Sequence, residues 1–400
     1  MLAYRSAVQT DQEPVVSRAE RGLARLELSA NRPAHALAAL AHRPDGNLGM
    51  DATDFRLAPS EAILAFVATG TDSLVGFLIR GGQSLEVHRL ALGRSDFHEV
   101  VRSWRSRLGD SGRGLGELRS FARQLPVGPL APEPELTIPQ GKAPSSRYSW
   151  ESYLEDILIS PFTAGLVGVS RLTLVLDDVL TPMPIEVIGR EQRLYRRFEL
   201  SRSPSLDHLL ARPQLIDPGD SVVFANETNP VTWCDRARKM CWHEQASTAG
   251  FRVDPAAGHS PSLYTLITAN AILDPAQGRW GAAQIDTSPI LTGGSLQSSD
   301  AKTRTMILAI GDPDHRDQMQ GAGVRQIASG AILGGSPAVV ITLWDPPAES
   351  ASLLLGDLQS SLMRGISPGR ALQQAREKVA RMPQFADPVH WAGSVLYGAP

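Results

Sequence analysis

The feature that most constrains this chain is a set of apolar runs with no polar alternation: DSVVFAN (Asp220 to Asn226), SLYTLITA (Ser262 to Ala269), TMILAIG (Thr305 to Gly311) and AVVITLW (Ala338 to Trp344). A strand with one wet face alternates apolar and polar residues, so runs of this kind require a sheet covered on both faces. Neighbouring segments supply the cover. VRQIASGAIL precedes the AVVITLW run, SASLLLGDLQSSLMRG follows it and PGRALQQAREKVA comes next, each with apolar residues at helical spacing. This strand and helix rhythm predicts an α/β fold with a mostly parallel sheet flanked by helices. RLTLVLDDVLTPMPIEVIG adds a buried strand and a loop carrying Asp177 and Asp178, and WESYLEDILISPF reads as an amphipathic helix.

The N-terminal third is built differently. VVSRAERGLARLELSANRPAHALAAL (Val15 to Leu40) has helical periodicity broken at Asn31, Arg32 and Pro33, and Pro33 can open a second helix. It reads as a helical hairpin, similar to one tetratricopeptide (TPR) unit with no second copy, and so as a cap on the main body. Three β-type runs follow, EAILAFVAT, SLVGFLIRG and SLEVHRLAL, separated by Gly-containing turns, which predicts a meander; DFHEVVRSWRSRL then reads as a helix. Between 126 and 146 six prolines block both helix and ladder. The expected organisation is a helical hairpin over 1–48, a meander plus helix over 49–125, a linker over 126–146 and the α/β core over 147–400.

Composition removes several functions. A net charge of −3 offers no basic field for nucleic acid or anionic lipid. No apolar run approaches the ~20 residues of a spanning helix and no leader is expected at the start, so no membrane segment is predicted. Two cysteines in 400 residues suit a reducing compartment, and a cytoplasmic location is expected.

Several blocks, in order, resemble CHAT domains, a bacterial branch of the caspase and separase clan of cysteine peptidases often found behind TPR arrays. Pro184, Ile185 and Glu186 match the family's segment after its acidic turn, and YRRFELSRSPSLDHL (Tyr195 to Leu209) is similar to the stretch that follows. GAGVRQIASGAILGGSPAVVITLWD matches at Gly321, Gly323, Val324, Ala331, Gly335, Val339, Val340, Leu343 and Trp344; GISPGRALQQAREKV and HWAGSVLYG resemble the closing helix and end. The resemblance spans residues from roughly 50 to 400. It implies a caspase-like core with a histidine at one strand end and a cysteine at another.

Such a peptidase needs a thiolate to attack the carbonyl and an imidazole to carry the proton. Aligned on their flanks, LYTLITANAILD and TMILAIGDPDHRD put Asn270 where the resembled family has its histidine and Gly311 where it has its cysteine; Leu266 occupies an earlier histidine. An amide does not titrate near neutral pH and glycine has no side chain. The expected catalytic set is therefore empty, and the expected function is that of a pseudoprotease: a protein-binding scaffold or regulator whose partner is a protein, an active peptidase, a peptide segment or a defence or signalling assembly. An emptied cleft would be lined by Asp178, Asp312, His315 and Asp345, with no metal and no cofactor.

The alternative is a hydrolase or peptidase using His315 and its neighbouring acids in GDPDHRD, a loop at a strand's carboxyl end. Cys234, Cys241 and His243 in VTWCDRARKMCWHEQ fall short of a structural zinc pattern and read as ordinary thiols beside Trp233 and Trp242; His259 is a further loop histidine. No glycine cluster is followed by a phosphate-binding lysine, so no nucleotide site is expected.

Overall fold

The computed structural model describes residues 23–41, 54–68, 74–90, 154–176, 180–189, 192–211, 221–225, 234–235, 240–241, 252–254, 262–274, 279–284, 290–291, 293–297, 303–311, 321–344 and 347–400. The helix expected at DFHEVVRSWRSRL, the proline-rich stretch 126–146 and residues 15–22 of the N-terminal hairpin lie outside the described residues.

Fifteen strands run through the described residues: β1 Glu61–Ala68, β2 Leu74–Arg80, β3 Glu86–Arg89, β4 Arg171–Leu176, β5 Glu199–Ser203, β6 Ser221–Ala225, β7 Cys234–Asp235, β8 Met240–Cys241, β9 Arg252–Asp254, β10 Ser262–Asp274, β11 Arg279–Gln284, β12 Ile290–Leu291, β13 Thr303–Gly311, β14 Ala338–Thr342 and β15 Ser394–Gly398. The helices are α1 (23–29), α2 Pro33–Leu40, α3 Leu194–Arg197, α4 Leu206–Ala211, α5 Gly293–Gln297, α6 Gly321–Leu333, α7 Ala348–Met363 and α8 Pro368–Ala380.

Thirteen of the strands form one sheet in the order β12-β11-β10-β13-β14-β15-β5-β4-β1-β2-β3, with β6 beside β10 and β9 beside β6. Nine of the thirteen fall into two parallel blocks, with β2 then β3 added beside β1, and β11 then β12 beside β10, by antiparallel pairing. β9, β6, β10, β13 and β14 share one direction. β1, β4, β5 and β15 share the other. The blocks meet where β14 and β15 pair antiparallel over five positions, and β15 touches β5 at a single register pair, Tyr397↔Arg202.

The meander is part of the large sheet, because β1 pairs with β4 in parallel from Glu61↔Arg171 to Phe66↔Leu176. Its composition shows why both faces are covered. Ala62, Leu64 and Phe66 of β1 join the main core, while Ile63 and Ala65 point into a second cluster with Ala24, Ala36 and Leu37 of the hairpin. The hairpin therefore does the work of a cap, burying the outer face of β1 and β2 (Val75, Phe77, Ile79). Pro33 sits in the first turn of α2 as expected, and Asn31 takes the left-handed conformation (φ 56°) that an asparagine tolerates between the two helices.

The expected amphipathic helix at WESYLEDILISPF differs. Residues Glu155–Ile159 form a π-helix, with the Ser160 amide reaching back to the Glu155 carbonyl, and Ser160–Phe162 continue as a 3-10 turn. Pro161 has no amide hydrogen and its ring crowds the carbonyl four residues back, so a regular helix cannot run through it. The wider turn still buries Ile157, Leu158 and Ile159.

At the sheet's centre a polar strand is buried. Ser201, Arg202 and Ser203 of β5 are 1–3% exposed. Arg202 donates from Nε to Glu186 Oε1 (2.9 Å) and from Nη2 to Glu186 Oε2 (2.8 Å), and Nη1 and Nη2 also donate to the Thr181 and Met183 carbonyls, each at 2.6 Å. Four of the five donors of this buried guanidinium are thus met by the 181–186 segment, and the Tyr397 hydroxyl of β15 is a further hydrogen-bond partner. A second buried arginine, Arg376 of α8, donates to the Ser394 carbonyl of β15.

Candidate functional site

In open α/β sheets, ligands gather beyond the carboxyl ends of the parallel strands. Here β10 and β13 pair in parallel from Ser262↔Thr303 to a last pair, Asn270↔Gly311. Gly311 is the final residue of β13, so the two positions singled out from the sequence are immediate cross-strand neighbours at that edge. Asn270 is flanked on its other side by Gln284 of β11, in antiparallel register. Three strands therefore carry Gln284, Asn270 and Gly311 in a row: two amides and a position without a side chain. None of the three titrates near neutral pH.

The strand-end placement expected for Asn270 is corrected: the residue lies inside β10, which runs on to Asp274. The extension exists because β11 returns antiparallel and supplies ladder partners for Asn270 through Asp274, with a register shift between Ile272 and Leu273. Gln284 was not singled out from the sequence, since only the β10–β11 register brings it beside Asn270.

β14 forms the next wall. Its last register pair with β13 is Leu308↔Ile341, and Gly311 and Trp344 each lie three residues further along. The Trp344 indole is buried, donating from Nε1 to the Val389 carbonyl at 3.0 Å. Gly393 makes room for it, since a Cβ there would come within 2.8 Å of the ring, and Leu343 N donates to the Gly393 carbonyl at 2.7 Å. Asp178, Asp312, His315 and Asp345, the acids and histidine expected to line the cleft, lie outside the described residues, as do His243 and His259. Among the described residues no group of three histidine, cysteine or acidic side chains could hold a metal. No described helix is long and apolar enough to cross a membrane.

Among the described residues, buried ionisable groups gather where the two blocks join. Burial opposes the charge on Glu186, but the Arg202 guanidinium outweighs it and holds the carboxyl below its ordinary value of 4.5. Burial likewise works against Arg202, and the Glu186 charge keeps it protonated. Arg376 is pushed down by burial and by Arg202's like charge, and burial pushes the Tyr397 hydroxyl up. At the rim of this region Tyr195 OH and Arg196 Nε both donate to Glu377 Oε2, at 2.9 and 2.7 Å, tying α3 to α8.

One histidine couples the two blocks. His208 of α4 is hydrogen bonded through Nδ1 to Ser205 Oγ (2.8 Å) and through Nε2 to Ser329 Oγ of α6 (2.7 Å), and burial lowers its pKa below 6.5. Neutral imidazole, one nitrogen donating and one accepting, satisfies both serines. A separate cavity of 260 Å³ is lined by Asp357, Ser360, Ser361 and Arg364 of α7's end and by Gln374 and Lys378 of α8. None of the edge positions contributes to it.

The architecture is that of a mixed α/β protein with a large, mostly parallel sheet flanked by helices. The CHAT domain family model matches residues 309–399, a stretch that begins two residues before Gly311. The chain is similar to human Tetratricopeptide repeat protein 28, 23% identical over 321 residues, an alignment that covers 62% of this chain and 13% of that protein. It thus spans about an eighth of the length of that relative. Among solved structures, the Saccharomyces cerevisiae separase–securin complex aligns over 87% of this chain and 30% of the other (13% identity, TM-score 0.49). The Arg-specific cysteine proteinase gingipain R aligns over 58% and 63% (10% identity, TM-score 0.37).

Proposed function

We propose that this is a CHAT-type domain without peptidase chemistry, which acts by holding a protein or peptide partner. The observation that carries the reading is the side-by-side placement of Asn270 and Gly311 on β10 and β13. The resemblance puts the base and nucleophile at these two positions, and a dyad must stand within hydrogen-bond reach to exchange a proton, as neighbouring positions on paired strands allow. With an amide and a bare backbone there, the arrangement keeps the framework and loses the reaction. Members of a catalytic unit fail non-additively, so absence of both leaves at most the small residual rate of a binding pocket. A cleft of this kind can still hold an extended peptide through main-chain hydrogen bonds.

In this reading the core over 147–400 carries the cleft, the meander and hairpin brace it, and the protein works in the bacterial cytoplasm as a scaffold or regulator, partnered by an active peptidase or by a peptide segment. A TPR-named relative is consistent with a life among protein contacts.

The test has two arms. The protein as it stands is expected to show no turnover on peptide libraries and no labelling by acyloxymethyl ketone probes. The double variant Asn270→His with Gly311→Cys is expected to gain probe labelling at residue 311, provided its circular dichroism matches that of the parent. Turnover by the unaltered protein that disappears in His315→Ala would overturn the proposal and favour the displaced-residue hydrolase.

A further inference from the structure

The chain has two cysteines, Cys234 and Cys241, and the backbone sets them opposite one another. β7 and β8 form their own two-stranded antiparallel ladder, in which Cys234 is the register partner of Cys241 and Asp235 that of Met240. Facing positions of an antiparallel pair share one side of the ribbon, with Cα atoms about 4.5–5.5 Å apart. A disulfide accepts Cα separations of about 4.4–6.8 Å, so this register meets its main geometric requirement. One residue of slip would put the two cysteines on opposite faces.

The sequence between them is also suited to thiol chemistry. Along the sequence, the eight-residue span from Cys234 to Cys241 holds Arg236, Arg238 and Lys239 against one acid, Asp235, and a net positive setting favours the thiolate, the reactive form. β7 neighbours α7, the helix that follows β14, and α7 in turn neighbours β10, which carries Asn270. The ribbon thus connects through one helix to the strand edge described above.

We propose that Cys234 and Cys241 are a reversible thiol–disulfide modification site, oxidised by peroxide, that staples the β7–β8 ribbon. One thiolate attacks a peroxide oxygen, forming an S–O bond as the O–O bond breaks and hydroxide leaves. The second thiolate attacks the resulting sulfenic acid, forming the S–S bond and releasing another hydroxide. With the two thiol protons counted, two thiols and one hydrogen peroxide give one disulfide and two waters. A dithiol reductant reverses the step. The proposal is independent of whether the β10–β13 edge is catalytic.

The test treats the reduced full chain with a slight excess of hydrogen peroxide and reads intact mass and non-reduced peptide maps. The expected product is a monomer lighter by the two hydrogens removed, with the Cys234 and Cys241 peptides joined, and returned to its starting mass by dithiothreitol. Closure in the folded protein is expected to be about tenfold faster than in the urea-unfolded chain, because the ladder pre-positions the thiols. In Cys234→Ser the remaining thiol is expected to stop at a sulfenic acid that dimedone traps. Untouched thiols, links between chains only, oxygen adducts without the joined peptides, or equal rates folded and unfolded would overturn it.

Discussion

Arg202 and Glu186 show how a single residue pair can decide what a strand is allowed to be. Both side chains are almost fully buried, and a buried pair that loses one member leaves an uncompensated charge in the core. Arg202→Ala is therefore expected to cost about 3–5 kcal/mol in urea unfolding, and Glu186→Ala a similar amount because Arg376 is left beside Arg202 without a carboxylate. Protonation carries a second prediction. Glu186 is held below 4.5 and His208 below 6.5, so at both groups the native state binds fewer protons than the unfolded chain as pH falls. Stability is expected to be highest above about pH 6.5, to decline first as unfolded histidine takes up a proton, and to decline again below about 4.5. Urea midpoints measured at pH 7.5, 5.5 and 4 check this, and His208→Gln should shrink the first step, leaving the share of His390, whose pKa burial also lowers, and leaving the second step in place.

At the level of elements, local chemistry explains some segments and only pairing explains others. α8 begins where the sequence says it should: Ser367 Oγ accepts from the Arg370 amide, and Pro368 occupies the first helical turn. The same hydroxyl donates to Glu199 Oε1 of β5, so the cap also fastens the helix to the sheet. Ser367→Ala is expected to cost about 1 kcal/mol, with Ser367→Asp losing the helix less but repelling Glu199; thermal melts of the two variants would separate capping from tethering. At the chain's end Gly398 has φ +87°, and a Cβ there would lie 2.1 Å from the Pro337 carbonyl oxygen. Gly398→Ala should therefore displace the β14–β15 ladder, seen as faster amide exchange at Val339 to Ile341. β5, by contrast, could not be recognised from ELSRS, since its buried Arg202 is satisfied mainly by a segment 16 to 21 residues upstream and its Glu199 by Ser367 of a distant helix cap.

For the whole molecule, the opposed blocks are bound into one unit by β14–β15 pairing and by a core cluster holding both Leu64 of β1 and Val340 of β14. Unfolding followed by tryptophan fluorescence and by far-ultraviolet circular dichroism is expected to give coincident transitions. Removing residues 394–400 should split them, since β15 is the only described strand that pairs with both β14 and β5.

Hydrophobic patterning by itself determined the strands β6, β10, β13 and β14 and the helices α6 to α8, because covered strands and helix faces leave their signature in adjacent residues. Tertiary structure alone decided that β10 runs past Asn270, that Gln284 stands beside it, that the sheet reverses direction at β15, and that a polar strand lies at the centre. Those outcomes depend on hydrogen-bond partners and charges brought in from distant parts of the chain, and no local window of sequence contains them.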